Sequence, residues 1–401
     1  MRSDTVAPAG VPLLRDRPIR HGERWIYCAG FNVDESLTST GRIDVELADL
    51  ARLLSAGARV AILSHQGRHR DGSARHLDHV AGYLADRLGR PVGYLPDNDT
   101  PDAAAIAGAM PEGTAVVFGN TRWHAGEEAG DPALARRFAA LGDLVAVGGF
   151  SKAHRSHASS TGILRYRPGW LTDGVLGELA RLEPWANPAG RRSIAVLGGL
   201  KPEKTLVGLA ALSRRYDVVV PGGVVLTTIL RARGVDVADS DLGEQPQRCL
   251  RAAHRALSDG TATVVLPERV IVARRGRTGY GPGIAVPVEH GVPAGHAIVD
   301  FEVPPRWRDI LAGHAAAGAR CVVAGTPSRY LDGHRTASEA VLDVVGRPGA
   351  ETLLMGGDTV RELPWDGPTS TGGGSALHYL AHGSTPVIDE LRATTTHEDN
   401  T

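Results

Sequence analysis

Hydrophobic residues along this chain fall into short runs rich in Val, Ile and Leu, and these runs alternate with amphipathic, alanine-rich stretches. The runs have the length and composition of buried β-strands, whereas the stretches between them have the periodicity of helices. This alternation predicts an α/β fold with parallel sheets built from βαβ units. The predicted strands lie at 24–30, 58–64, 114–120 and 144–150 in the first half, and at 193–199, 216–222, 262–267, 319–325 and 351–357 in the second.

The pattern is interrupted once, at EPWANPAGRR (183–192), which has two prolines, a glycine and no periodicity. A chain of 401 residues also exceeds the size at which a single core stops growing, so two domains are expected. We place the domains at 1–183 and 193–380, with 184–192 as a hinge. The glycine-rich stretch 275–295 is predicted to be a loop or hairpin, and the polar tail from about residue 392 is predicted to be mobile.

The charge balance narrows the range of partners. The formal net charge is −1 and the sequence pI is about 7.0, which argues against binding to nucleic acid or an anionic membrane, since both need a basic excess. Three scattered cysteines give neither a disulfide framework nor a zinc pattern. The first twenty residues lack the apolar core of a secretory signal, so we expect a cytoplasmic protein.

Lysine is almost absent from this chain. Of its 44 Lys and Arg residues, only Lys152, Lys201 and Lys204 are lysines. An ammonium is a compact charge on a flexible stem, whereas a guanidinium is a planar fork. The two are therefore not equivalent where a side chain must stay in contact with one phosphate oxygen while the phosphate is transferred. These lysines are therefore candidate phosphate contacts. The alternative is that they are surface lysines retained by chance.

Most predicted strands end in glycine or a polar loop, at the edge where open α/β sheets bind their ligands. Eight segments, most of them at such positions, together resemble the phosphoglycerate kinase family in order and spacing. They are GFNVDES (30–36), LTSTGRID (37–44), SHQGR (64–68), GNTRWHAGEE (119–128), FSKAHRSHASS (150–160), VLGGLKPEK (196–204), GGDT (356–359) and STGGGSALHYL (370–380). The resemblance implies two Rossmann-like three-layer domains whose parallel sheets face a hinged cleft, with 381–401 returning to the first domain.

The resemblance implies an acid site in the first domain. Its phosphate-binding arginines would be Arg68, Arg122 and Arg155, with Arg42 near the reacting carboxylate. Arginines in loops after strands suit this role because each offers paired donors to a dianion. Asn32, His65 and Lys152 would complete the acid site, which His154 flanks. The alternative for the arginines is ordinary solvated surface.

The second domain is implied to bind ATP or ADP with Mg²⁺. Lys201 and Lys204 would contact the phosphates and join Arg42 as catalytic residues, and Asp358 would hold the metal. A lone carboxylate suits Mg²⁺, which keeps water and phosphate oxygens as other ligands; the alternative is a helix cap. The other implied nucleotide-binding residues are Gly222, Gly223, Gly325, Asp332, Gly356, Gly357, Thr359, Gly372, Gly373 and Gly374.

Several positions depart from the family pattern. The aspartate that helps to bind the glycerate 2-hydroxyl is Gly30 here, and the Gly-Thr of Phe-Gly-Thr-Ala-His-Arg is Ser151-Lys152. The segment that covers the nucleotide appears as VAGTPSRYLDG (323–333), with Asp332 as a substitute for its glutamate. The two lysines at 201 and 204 are also one residue closer together than in the family. We interpret the chain as a divergent member with an altered acid substrate.

The expected reaction is in-line phosphoryl transfer from Mg·ATP to the carboxylate of a small acid bearing a phosphate or phosphonate, giving an acyl phosphate in a specialised pathway. One alternative is authentic 3-phosphoglycerate kinase activity; another is a non-catalytic protein that binds phospho-acids. We expect a monomer without nucleic-acid or membrane partners. No GxGxxG follows a strand and no Gly-Lys pair occurs, which disfavours a dinucleotide oxidoreductase and a P-loop enzyme.

Overall fold

The computed structural model describes residues 7–188 and 190–398. Its strands are β1 Arg24–Cys28, β2 Arg59–Leu63, β3 Val92–Leu95, β4 Ala115–Phe118, β5 Leu144–Val147, β6 Gly169–Leu171, β7 Ser193–Leu197, β8 Val218–Pro221, β9 Thr263–Val264, β10 Arg269–Ala273, β11 Ile284–Pro287, β12 Ala297–Phe301, β13 Arg320–Ala324, β14 Glu351–Met355 and β15 Thr369–Ser370. Its α-helices are α1 Gly41–Asp44, α2 Leu47–Ser55, α3 Asp78–Leu88, α4 Pro101–Ala109, α5 Ala125–Ala129, α6 Pro132–Ala139, α7 Asp173–Ala186, α8 Ala210–Leu212, α9 Gly223–Ala232, α10 Pro246–Asp259, α11 Pro305–Ala316, α12 Thr336–Val345, α13 Gly357–Glu362, α14 Gly374–His382 and α15 Pro386–Glu398.

The described residues form two compact units. Unit 1 contains those up to Ala180 and those from Ser384 onward, and unit 2 contains Arg181–Gly383. Helix α15 belongs to unit 1, where the Val387 amide donates to the Ala153 carbonyl at 3.2 Å. Helix α7 continues through Pro184 to Ala186. The irregular segment predicted from residue 183 therefore begins inside a helix, and its first residues were wrongly predicted to be non-helical.

Unit 1 is built on a six-stranded parallel sheet in the order β3-β4-β2-β1-β5-β6. The central strand β1 is buried from Trp25 to Cys28 and lies between β2 and β5. Its side chains join a core that also holds Phe31, Ile43 and Leu50. The loops after β4, β2, β1 and β5 therefore emerge side by side at one edge of the sheet.

Helices in unit 1 begin and end where the local sequence dictates. The side chains of Thr100 and Asp131 each accept a backbone N–H of the first helical turn, and each precedes a proline at the first helical position. Helix α3 ends at Gly89, whose φ of 61° is left-handed. Such caps fix the lengths of the helices that connect the strands.

Unit 2 contains a second six-stranded parallel sheet, in the order β15-β14-β13-β7-β8-β9. A three-stranded antiparallel sheet, in the order β11-β10-β12, packs into the same core through Val270, Val272 and Phe301. The predicted α/β class with parallel sheets is confirmed. The stretch 275–295 includes the loop between β10 and β11, as well as β11 itself.

None of the helices in the described part of the chain has the length and hydropathy needed to cross a membrane.

Candidate active site

Most of the predicted acid-binding side chains lie in loops at the carboxyl edge of the unit 1 sheet. Asn32 follows β1, His65 follows β2, Arg122 follows β4, and Lys152 follows β5. Because these four strands are neighbours in the sheet, their loops share one edge. The sequence thus brings polar side chains from distant segments to the same surface of unit 1.

His65 lies at this edge of the sheet, in the loop after β2. Its imidazole is buried, and burial holds its pKa well below the usual value, with the positive charges of Arg122, Lys152 and Arg155 acting in the same direction. The ring is therefore neutral at physiological pH. All three positive charges act on this one imidazole. We use the name cationic cluster for His65, Arg122, Lys152 and Arg155.

Arg122 is almost completely buried, which is unusual for a guanidinium. One of its terminal nitrogens forms an ion pair with Glu128, while its buried Nε has no hydrogen-bond partner among the described residues. Burial lowers the pKa of Arg122, and the charge of Glu128 opposes this effect. A buried donor without a partner indicates an acceptor supplied from outside the protein, since such a group costs about 1–3 kcal/mol.

The loops after β1 and β2 carry the remaining residues that are predicted to bind the acid. Arg42 Nη1 donates to the Asn32 carbonyl at 2.9 Å, and the Asn32 side-chain oxygen accepts the Gly67 N–H at 3.3 Å. Arg68 is exposed, and its charge acts on Arg122. Arg42 is half-buried and positioned by the loop after β1, while Arg68 lies at the solvent side of the cationic cluster.

In unit 2, Lys201, Lys204 and Asp358 lie together. Lys201 Nζ donates to Asp358 Oδ2 at 3.0 Å, and Arg361 donates to Oδ1 at 2.6 Å. Lys204 is buried, and burial, followed by the charge of Lys201, lowers its pKa to about 8. Partial burial alone would raise the pKa of Asp358, but the bonds and charges of Lys201 and Arg361 hold it below its usual value. Asp358 is therefore an ionised carboxylate.

Asp358 does not act as a helix cap. It lies in the first turn of α13 after the N-cap Gly356, and no side-chain cap bond is present there. Its two oxygens accept from Lys201 and Arg361 instead. No group of three or more His, Cys, Asp or Glu side chains arranged to hold a metal occurs within 7–188 and 190–398. A metal at Asp358 would thus take its other ligands from phosphate and water, which suits Mg²⁺.

The predicted nucleotide-binding glycines also have structural reasons to be glycine. A Cβ on Gly222 would lie 2.4 Å from the Pro327 carbonyl oxygen, one on Gly223 would lie 2.6 Å from that of Gly199, and one on Gly325 would lie 2.1 Å from that of Gly198. Backbones of neighbouring strand ends thus touch directly at this edge. The nucleotide-binding role of these glycines remains a prediction.

The other predicted nucleotide-binding residues come from three segments of the chain. Gly356, Gly357 and Thr359 surround the start of α13, and Gly372, Gly373 and Gly374 lead into α14. Gly356 and Gly373 approach each other, since a Cβ on either would lie 3.9 Å from the other's Cα. Asp332 is exposed on a short turn, where a Cβ on Gly279 would lie 2.9 Å from its Oδ1.

Comparisons with known proteins identify the family of the chain. The family model described as Phosphoglycerate kinase matches residues 28–382. The chain belongs to the phosphoglycerate kinase family. A phosphoglycerate kinase of Methylorubrum extorquens is 32% identical over 375 residues, covering 89% of this chain and 92% of its own length. One of Mesorhizobium japonicum is 30% identical over 392 residues, covering 92% and 96%.

Solved structures of phosphoglycerate kinases share the fold. The structure from Coxiella burnetii superposes with a TM-score of 0.69 at 25% identity, covering 95% of this chain and 99% of that one. The structure from Pyrococcus horikoshii gives a TM-score of 0.74 at 21% identity, covering 96% and 99%. The family resemblance drawn from the eight segments is confirmed, and with it the phosphotransferase class of the family.

Gly30, which the sequence analysis interprets as a departure from the family pattern, has no room for a side chain. A Cβ at Gly30 would lie 2.9 Å from Gly149 Cα and 2.9 Å from Ser151 Oγ. Gly149 itself has a φ of 66°, and its own Cβ would lie 2.6 Å from the Gly30 amide nitrogen. The two glycines therefore allow the loop after β5 to press against the loop after β1.

Replacing Gly30 with alanine should destabilise unit 1 by about 1–3 kcal/mol, because the new methyl group meets backbone that cannot give way easily. Gly82→Ala is the matched control: Gly82 lies within α3, a Cβ there meets nothing within 4 Å, and the change should stabilise by about 0.5–1 kcal/mol. Urea unfolding followed by tryptophan fluorescence measures both. Equal stability of the two variants would contradict the close contact at Gly30.

The sequence analysis missed Glu46, which is buried beside the cationic cluster of this phosphoglycerate kinase family member. Glu46 accepts the Tyr27 hydroxyl at 2.5 Å and the Gly149 N–H at 2.5 Å. Burial raises its pKa to about 7, against the opposing effects of these bonds and of Lys152. The only available signal was its position four residues after Arg42, which predicts a shared helical face but not burial.

Glu46 should make unit 1 less stable as pH rises. Its folded-state pKa of about 7 exceeds the ordinary value of 4.5, so the folded state retains its proton longer, and stability falls between those two values by about 3 kcal/mol in total. Urea unfolding at about pH 5 and about pH 8 measures the change. Glu46→Gln should remove most of this loss, whereas an unchanged difference between the two pH values would contradict it.

Glu127 and His157 form a second buried pair that the sequence analysis did not select. Glu127 accepts the Ser159 N–H at 2.9 Å and the Ser159 hydroxyl at 2.5 Å, and His157 Nδ1 lies 3.8 Å from it. Burial, reinforced by the charge of Arg122, lowers the pKa of His157 to about 3, so this ring is neutral. The pair holds the loop that follows Arg155.

Proposed function

We propose that this chain transfers a phosphoryl group from Mg·ATP to the carboxylate of a small acid that bears a phosphate or phosphonate. The observation that carries the proposal is the cationic cluster, in which Arg122 Nε and Lys152 Nζ are buried donors without partners within the described part of the chain. Such donors fit an anion better than they fit water, because charge-assisted hydrogen bonds are the stronger ones.

Each of these side chains would have a separate role in binding the acid. Arg122, Arg155 and Arg68 neutralise the dianionic phosphate or phosphonate, and neutral His65 contributes a hydrogen bond rather than a charge. Arg42, held through the Asn32 carbonyl, reaches toward the carboxylate that is to be phosphorylated. Phosphoryl transfer has a charge-spread transition state, so positioning and electrostatics of this kind carry most of the catalysis.

The nucleotide belongs to unit 2 in this proposal. Lys201 and Lys204 supply positive charge to its phosphates, and the glycine-rich turn that leads into α14 at Gly374 brings backbone N–H groups near them. Asp358 is an ionised, half-exposed carboxylate and fits a hydrated Mg²⁺, provided that Lys201 turns from the carboxylate to a phosphate oxygen. When bound, Mg²⁺ would neutralise charge on the phosphate oxygens.

Coupled ADP release tests this function and separates it from its first alternative. We expect turnover with one or more acids from a panel of phosphorylated and phosphonylated acids, at a higher kcat/KM than with 3-phosphoglycerate. Highest activity with 3-phosphoglycerate would favour the authentic glycolytic enzyme instead. Calorimetry with Mg·ATP tests the other alternative, because absence of binding would favour a non-catalytic protein.

A further inference from the structure

Lys152 is a buried cation without a protein acceptor in the described part of the chain. The residue is 4% exposed, and its Nζ has no hydrogen-bond partner there. A short turn at Phe150–Lys152, in which the Lys152 N–H donates to the Gly149 carbonyl at 2.9 Å, places it after β5. Its charge acts on His65 and His157, so the ammonium belongs to the cationic cluster.

Among the described residues, no carboxylate accepts a hydrogen bond from this ammonium. Glu46 feels the charge of Lys152, but its oxygens already accept from Tyr27 and Gly149, and burial raises its pKa to about 7. Glu128 pairs with Arg122 and Glu127 with Ser159. A buried lysine whose Nζ has no acceptor in the protein is costly, so Lys152 indicates an anionic acceptor on the ligand.

The surroundings of Gly30 explain where that acceptor would lie. Ser151 Oγ and the backbone of Gly149 fill the space in front of Gly30, so the loop that carries Lys152 packs against the loop after β1. An aspartate side chain has no room at Gly30, and the facing loop brings a hydroxyl and an ammonium instead. These groups suit a substrate group that accepts hydrogen bonds and carries negative charge better than they suit a hydroxyl.

The arginines alone supply enough charge for a phosphate. In the proposed function Arg68, Arg122 and Arg155 neutralise the dianion, which leaves the ammonium of Lys152 for a further negative group. We propose that Lys152 is a specificity-determining residue that binds a second carboxylate, so that the preferred acid carries a phosphate or phosphonate and two carboxylates. This inference rests on the proposed function, of which it names the substrate class.

Two phosphonates that differ by one carboxylate test the assignment. Calorimetry compares 3-phosphonopropanoate with 2-(phosphonomethyl)malonate, which is the same molecule with a carboxylate added next to the first. The wild-type protein should bind the dicarboxylate at least about tenfold more tightly. Lys152→Met should lose this preference and bind both acids alike. Arg165→Met, which removes an exposed cation of unit 1 that pairs with Glu390 at 3.1 Å, should keep the wild-type preference.

Equal affinity of the wild-type protein for the two acids would overturn the proposal. This comparison uses only the wild-type protein, so it does not depend on whether a variant folds. Loss of affinity for both acids by the same factor in Lys152→Met would also overturn it, because Lys152 would then hold the phosphonate. Binding is measured without nucleotide. A wild-type preference for the dicarboxylate without ADP release would therefore count against the proposed phosphoryl transfer, while leaving the role of Lys152 intact.

Discussion

Arg122→Met should lower kcat/KM for the acid by roughly 30- to 5,000-fold, with little change in the KM for Mg·ATP. The range corresponds to about 2–5 kcal/mol, the usual loss when one partner of a buried, charge-assisted contact is removed. Arg122 is nearly inaccessible, and its Nε, which has no partner among the described residues, lies in the cationic cluster. Steady-state kinetics with the best acid of the panel measure the effect.

Arg165→Met is the matched control for Arg122. Arg165 lies in the same unit, its side chain is 60% exposed, and it pairs with Glu390 at 3.1 Å. Exposed pairs of this kind contribute little, about 0–1 kcal/mol, so its kinetics should stay close to wild type. Thermal unfolding shows whether either variant loses its fold. A well-folded Arg122→Met enzyme with wild-type kcat/KM would contradict the assignment of Arg122 to the acid site.

Asp358→Asn should lower kcat on the order of a thousandfold, since the charge stabilisation supplied by a bound metal is worth several kcal/mol. The amide keeps the size of the side chain but loses the negative charge. The variant should also need more Mg²⁺ for half-maximal rate, which a magnesium titration at fixed ATP measures.

Asp343→Asn provides the control, because Asp343 on α12 is an exposed carboxylate of the same unit that pairs with Arg347. It should retain wild-type kcat and magnesium dependence. If Asp358 only orients Lys201 and Arg361, Asp358→Asn would leave the magnesium dependence unchanged. That outcome would contradict its assignment as the metal ligand.

Most of the strands that the sequence predicted are buried runs of four or five residues with parallel neighbours, as in β7 and β13. The strand predicted at 262–267 is the exception, because it forms only at Thr263–Val264 and is not buried. The strands that the sequence missed were short or set by distant pairing. Strand β6 has three residues, and β3 contains a glycine and is only partly buried. Strands β10 and β12 pair across about thirty residues, Val270 opposite Phe301, so their sheet depends on tertiary contacts that no local pattern reports.

The residues of the candidate site also fall into those that the sequence could predict and those that it could not. Arginines and lysines in loops after strands could be selected because their chemistry is visible in the residue type. Burial was not visible: neither the nearly complete burial of Arg122 and Lys152 nor the position of Glu46 follows from local sequence. Glu46 and Gly149 are 103 residues apart and meet only once the sheet has formed.

Trapping of the product tests the central claim most directly. The enzyme, Mg·ATP and the preferred acid are incubated with hydroxylamine, which converts an acyl phosphate to a hydroxamate. Phosphoryl transfer to a carboxylate predicts hydroxamate and ADP in equal amounts, both dependent on the acid. ADP formed without hydroxamate, or neither product despite binding of both ligands, would contradict the account.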